Sequence, residues 1–119
     1  MVKTILIVDD EPEHVSMLES LLKDRGYEVL MSLDGDDAVA KAVRYHPDLV
    51  ILDIMMPRMD GTDAASILKN DVRTKDIPIF FVTAVISKQD ELRAKDKPYR
   101  MFAKPVKFFE LLDAITQIK

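Results

Sequence analysis

The sequence predicts an α/β protein, a doubly wound (βα)5 parallel sheet of five strands with helices on both faces. Three observations carry this. Ile5-Leu6-Ile7-Val8 and Leu49-Val50-Ile51-Leu52 are unbroken aliphatic runs, the pattern of strands buried on both faces in a parallel sheet. Segments of helical periodicity alternate with such runs along the chain. Both runs stop abruptly at acids, Asp9-Asp10 and Asp53, at what would be the carboxyl edge of the sheet, where open α/β folds bind their ligands. Three carboxylates converging there repel one another by roughly 4 kcal/mol per pair at ~4 Å and an effective dielectric of about 20. Such a crevice asks for a hard divalent cation.

Each element has its own signal. Residues 3–8 read as the first strand. Pro12 suits the opening turn of a helix; Val15, Leu18, Leu21 and Leu22 follow at helical spacing, and Gly26 terminates it. Residues 27–31 form a second strand. Ala38, Val39, Ala42 and Val43 mark a helix ending near His46-Pro47, with Gly35 before it as a turn residue and Asp34, Asp36 and Asp37 as its solvated start. Residues 49–52 are the third strand, and 62–70 a helix with Ala65 and Leu68 facing inward. Ile77-Pro78 leads into the fourth strand at 79–82. Residues 88–97 offer only Leu92 and Ala94 as apolar anchors behind a capping Ser87-Lys88-Gln89-Asp90, which predicts a short, mobile helix. Residues 100–103 give a short fifth strand. Residues 107–118 give a closing helix with Leu111, Leu112, Ile115 and Ile118 on one face.

Composition narrows the function. At 119 residues, 48% hydrophobic and 32% charged, the chain fits one soluble globular domain, residues 1–119, with a real core. No linker, low-complexity segment or repeat interrupts it. Its apolar runs are far too short for a membrane span, and no basic, cleavable leader opens it, so the expected location is cytoplasmic. The absence of cysteine excludes disulfides, thiol nucleophiles and thiolate zinc sites. A net charge of −4 gives no basic footprint for direct nucleic-acid binding. His14 and His46 are too few and too separate for a histidine metal site, and both read as surface residues.

The polar residues at strand ends form a set. Asp9 and Asp10 follow strand one, Asp53 closes strand three, Thr83 strand four and Lys104 strand five. Helix capping accounts for an Asp or Thr singly, but it does not account for all five, since a lysine cannot cap a helix start. Val8-Asp9-Asp10-Glu11-Pro12, Leu52-Asp53-Ile54-Met55-Met56-Pro57-Arg58-Met59-Asp60-Gly61, Val82-Thr83-Ala84 and Lys104-Pro105 occur in that order. Together they make the chain resemble, over essentially its whole length, the receiver domain of two-component response regulators.

The resemblance implies a flavodoxin-like strand order 2-1-3-4-5 and a phosphoacceptor role for Asp53. The phosphoryl group would come from a histidine kinase, a histidine phosphotransfer protein or a small phosphodonor. It implies Mg²⁺, with Mn²⁺ as an alternative, held by Asp10, Asp53 and the backbone carbonyl of Met55, and by Asp9 through water. Few direct carboxylates and several waters suit Mg²⁺. Lys104 and Thr83 would stabilise the phosphoryl oxygens. The resulting change of conformation would regulate a partner of unknown identity. The chain would act as a signalling phosphoacceptor, catalysing only its own phosphorylation and slow self-dephosphorylation.

Pro57 and Gly61 shape the loop after Asp53, and Lys104-Pro105 is expected to be a cis peptide by the resemblance. Met55, Met56 and Met59 read as gap-fillers. Three positions depart from the family pattern. Lys97-Pro98-Tyr99-Arg100 replaces a frequent Gly-Ala, and Met101 occupies the switch position where an aromatic is common, strand alternation turning Phe102 to the other face. Val85 stands at an often polar place two residues after the threonine. With Met55, two after the phosphoacceptor, Val85 is expected to tune dephosphorylation.

Three rival readings fit the residues less well. A phosphatase resembling the haloacid dehalogenases wants a second acid where Met55 stands. An interaction module that has lost phosphorylation does not explain Asp10, Asp53, Thr83 and Lys104 together. A flavin site lacks a Ser/Thr/Gly-rich phosphate loop after strand one.

Overall fold

The computed structural model describes residues 2–84 and 99–118, the side chain of residue 99 excepted. Five parallel strands, β1 (Thr4–Val8), β2 (Glu28–Ser32), β3 (Leu49–Asp53), β4 (Ile79–Thr83) and β5 (Tyr99–Ala103), form one sheet in the order β2-β1-β3-β4-β5. Four helices occur among the described residues: α1 (Pro12–Lys23), α2 (Gly35–Tyr45), α3 (Gly61–Lys69) and α4 (Phe108–Thr116). The expected strand order and layering are therefore present. The helix expected at 88–97 lies outside the described residues.

Strand alternation divides the core in two. Ile5, Ile7, Leu49, Ile51, Phe80, Val82 and Phe102 meet Val15, Leu18 and Leu22 of α1 and Leu111, Ala114 and Ile115 of α4. Leu6, Val8, Val50, Leu52, Ile79 and Phe81 meet Ala38 and Ala42 of α2 and Ala64, Ala65 and Leu68 of α3. Every residue of β3 and β4 is buried, so neither strand has a solvent face. Each fully buried aliphatic side chain contributes roughly 1.5–3 kcal/mol, which makes the central strands a rigid base for whatever their ends carry. Phe102 packs in the first layer against Phe80, ring centroids 5.3 Å apart, and Met101 against the second, as alternation required.

Element ends follow local chemistry. Pro12 opens α1, and Gly26 beyond its end takes φ +91°, a conformation a side chain resists. Asp34 caps α2 by accepting from the Asp37 amide (2.8 Å), and Asp60 caps α3 by accepting from the Asp63 amide (3.0 Å). Asp48 accepts from the Lys3 and Thr4 amides at 2.9 and 3.0 Å, tying the start of β3 to the start of β1.

Asp53 and Thr83 close their strands, as expected, and ladder pairing continues through them (Asp53↔Val82, Thr83↔Ala103). Gly35, however, is not a turn residue. It is the buried first residue of α2, where a Cβ would stand 2.9 Å from Met59 Cγ and Sδ. The loop after β3 packs there against the start of α2.

Candidate functional site at the carboxyl edge of the sheet

Parallel register aligns the ends of four strands. Val8 pairs with Leu52, Asp53 with Val82, and Thr83 with Ala103, so the residues at or just past those ends, Asp9, Asp53, Thr83 and Lys104, share one edge. Asp9, Asp53 and Thr83 are each no more than 3% exposed, whereas Asp10 and Glu11 are exposed. The buried acids sit at the floor of the crevice and the exposed ones on its rim.

The loop leaving β3 is held closely. The Met55 amide donates to Asp53 Oδ1 (3.3 Å), and the Gly61 amide to the Ile54 carbonyl (2.9 Å). A Cβ at Gly61 would lie 2.2 Å from the Asp53 carbonyl oxygen, so only glycine lets α3 begin this near the acid. Arg58 takes φ +65° within the loop. Pro57 is exposed, Met55 is 59% exposed, Met56 is buried and Met59 half-buried. Met56 and Met59 fill the core as expected, and Met55 does not.

Lys104 reaches the floor from β5. Its ammonium lies 3.1 Å from Asp9 Oδ2, 3.1 Å from Glu11 Oε1 and 3.3 Å from Asp53 Oδ2, matching its three donors to three carboxylates. Burial works against its charge, but Glu11, Asp9 and Asp53 hold its pKa well above the ordinary lysine value. For Asp53, burial and then the charge of Asp9 push the pKa up, against the pull of Lys104 and the Met55 amide. For Asp9, burial also pushes up, yet the Glu11 amide, His14 and Lys104 outweigh it, and the carboxyl lies below the ordinary value. The floor thus pairs a firmly ionised Asp9 with an Asp53 whose proton affinity is enhanced. The Lys104-Pro105 peptide is cis, as expected.

Asp9, Asp10, Glu11 and Asp53 each offer a carboxylate oxygen, all within 4.8 Å of one another. Four hard oxygen donors so close, with the Lys104 ammonium beside them, have the donor chemistry to hold a metal ion. Met101 lies away from this floor, in an apolar groove with Ile54, Ala65, Ile79 and Phe81. Val85 lies outside the described residues.

Two residues were missed by sequence reasoning. His14 is not a free surface residue: its side chain is 15% exposed, with Nδ1 2.5 Å from Asp9 Oδ2. The available signal was its place in the first turn of a helix that begins beside Asp9. Glu11 lay within a recognised motif without a role, and it contacts Lys104 and joins the acidic cluster. His46 is exposed, as expected.

Comparison with known proteins agrees with this geometry. The family model for the response regulator receiver domain matches residues 5–116. The DNA-binding dual master transcriptional regulator RpaA of Synechocystis sp. is 39% identical over 77% of this chain, which spans 38% of that protein's length. Protein PilH of Pseudomonas aeruginosa is 36% identical over 96% of this chain and 95% of its own. The structure of the Vibrio cholerae chemotaxis protein CheY4 superposes with a TM-score of 0.86 at 28% identity, over 100% of both chains.

Proposed function

The chain belongs to the response regulator receiver domain family of two-component signal transduction, and on that footing we propose that Asp53 accepts a phosphoryl group in an Mg²⁺-dependent transfer. The observation that carries the proposal is the placement of the buried Asp53 carboxylate 3.3 Å from the Lys104 ammonium and within the four-acid cluster. The phosphodonor is a phosphohistidine of a histidine kinase or phosphotransfer protein, or a small acyl phosphate. An Asp53 oxygen attacks phosphorus, the bond from phosphorus to the donor nitrogen or oxygen breaks, and its electron pair leaves with the donor.

In its carboxylate form Asp53 needs no general base, and the Lys104 ammonium 3.3 Å away favours that form. Burial and the Asp9 charge raise its proton affinity while Lys104 lowers it, so the ammonium and a bound cation would keep the nucleophile ionised. Lys104 neutralises a phosphoryl oxygen on one side, and Thr83, at the end of β4 beside it, donates a hydrogen bond to another. Asp10, Asp53 and the Met55 main-chain carbonyl would hold Mg²⁺ (Mn²⁺ as an alternative), with Asp9 acting through water. When bound, the ion supplies the positive charge that lets an anionic donor approach an anionic site. Catalysis is then positioning and charge stabilisation.

Met55 stands where a phosphatase would carry a general acid, which favours a single stored phosphoryl group over turnover of exogenous phosphoesters. We take the chain to act as one receiver unit that changes conformation and regulates a partner. The net charge of −4 favours a protein partner over direct contact with nucleic acid. Among the described residues no helix is long and apolar enough to cross a membrane, and a histidine-kinase donor fits the cytoplasmic location expected from the sequence.

Intact-mass measurement after treatment with acetyl phosphate and Mg²⁺ tests the proposal. One phosphoryl adduct is expected on the wild type and none on Asp53→Asn. An undiminished adduct on the variant overturns the assignment.

A further inference from the structure

Among the described residues, Asp9 is the most heavily hydrogen-bonded acid of the site. Its Oδ1 accepts from the Glu11 amide at 3.0 Å. Its Oδ2 is shared between His14 Nδ1 at 2.5 Å and Lys104 Nζ at 3.1 Å. Lys104 is itself divided among Asp9, Glu11 and Asp53. Two donors on one carboxylate oxygen weaken each other, so the closer imidazole loosens the grip of Asp9 on the lysine.

We propose that His14 is a positioning residue: by taking Asp9 Oδ2, it keeps Asp9 in place and leaves Lys104 available to Asp53 and the incoming phosphoryl group. The inference rests on the reading of Asp53 as phosphoacceptor. An imidazole N–H suffices for this, since Nδ1 donates in the corresponding neutral tautomer as well as in the cation. The ring comes from α1 and is held by a first turn fixed by Pro12.

Two consequences follow when the imidazole is lost. Asp9 then has an unshared lone pair and less compensated charge, so the site attracts a cation more strongly. Lys104 is drawn towards Asp9 and away from Asp53, so phosphoryl acceptance slows. The two readouts move in opposite directions, whereas simple loosening of the site weakens both.

The experiment compares wild type, His14→Leu and His14→Asn, with His14→Ala replacing the leucine variant if that one does not fold. Mg²⁺ affinity is measured by calorimetry without phosphodonor, and the rate of acetyl phosphate labelling at saturating Mg²⁺. His14→Leu is expected to bind Mg²⁺ at least about threefold more tightly and to be labelled at least about threefold more slowly. His14→Asn, whose amide can donate from nearly the place of Nδ1, is expected to return both values towards wild type. Unchanged values in His14→Leu, or a parallel loss of both that asparagine does not rescue, overturn the role of His14. Absence of labelling in wild type overturns instead the assignment of Asp53, so the two failures are distinguishable.

Discussion

The Lys104 ammonium lies 3.3 Å from Asp53 Oδ2 although 51 positions separate the two residues. The same ammonium touches Asp9 and Glu11, so one cation offsets an excess of acid gathered by strand register. Burial and the Asp9 charge still raise the pKa of Asp53, so in the absence of metal its ionised form opposes folding.

A pH dependence of known sign results. A carboxyl raised in the folded state binds its proton there more tightly than in the unfolded chain, so its ionisation penalty is present above the raised value and absent below the ordinary one. With metal removed by chelator, Asp53→Asn is expected to be more stable than wild type at neutral pH. That advantage is expected to shrink as pH falls towards about 4, where the unfolded carboxyl also protonates. Urea titrations of both proteins across that range provide the check; an advantage that grows on acidification contradicts the raised pKa.

The metal prediction separates a defined site from general acidity. Asp10→Ala is expected to lower Mg²⁺ affinity far more than Glu13→Ala, because Asp10 belongs to the cluster of converging oxygens and Glu13 does not. Calorimetric titration decides between them, and equal losses would mean that diffuse negative charge attracts the ion.

Two glycines at helix starts should respond differently to alanine. At Gly61 the new Cβ meets backbone, the Asp53 carbonyl oxygen at 2.2 Å and Ile54 Cα at 2.8 Å, so α3 or the strand end must move. Gly61→Ala is expected to lose about 3 kcal/mol and to impair labelling. At Gly35 the Cβ meets the flexible Met59 side chain, and alanine is the better helix former by ~1 kcal/mol, so Gly35→Ala is expected to remain near wild type. Denaturant unfolding of both variants tests the ranking.

Signal lifetime is expected to depend on Met55 and Val85. Hydrolysis of an aspartyl phosphate needs a water in line with the Asp53 oxygen, and neither side chain can orient one. A tenfold change in rate corresponds to ~1.4 kcal/mol in the barrier, within the reach of two side chains. Loss of label should be about tenfold faster in Met55→Asn with Val85→Glu than in wild type. Equal lifetimes would remove these positions from the account.

By itself the sequence determined the strands, the alternation and the acids. An aliphatic run such as Leu49-Val50-Ile51-Leu52 is the pattern of a strand buried on both faces in a parallel sheet, and Asp53 marks where the aliphatic run ends. The motifs around Asp9-Asp10, Asp53, Thr83 and Lys104 are local enough in chain order to identify the family. Tertiary structure alone decided how the charges are shared. That Lys104 contacts Glu11, that His14 takes one oxygen of Asp9, and that Gly35 packs on Met59 depend on distances between separate elements. Those distances are set by register and by the packing of α1 and α2 on the sheet. A histidine in an amphipathic helix and a glycine before an acidic turn carry no mark of such partners, because their partners are chosen by packing and not by neighbouring residues in the chain.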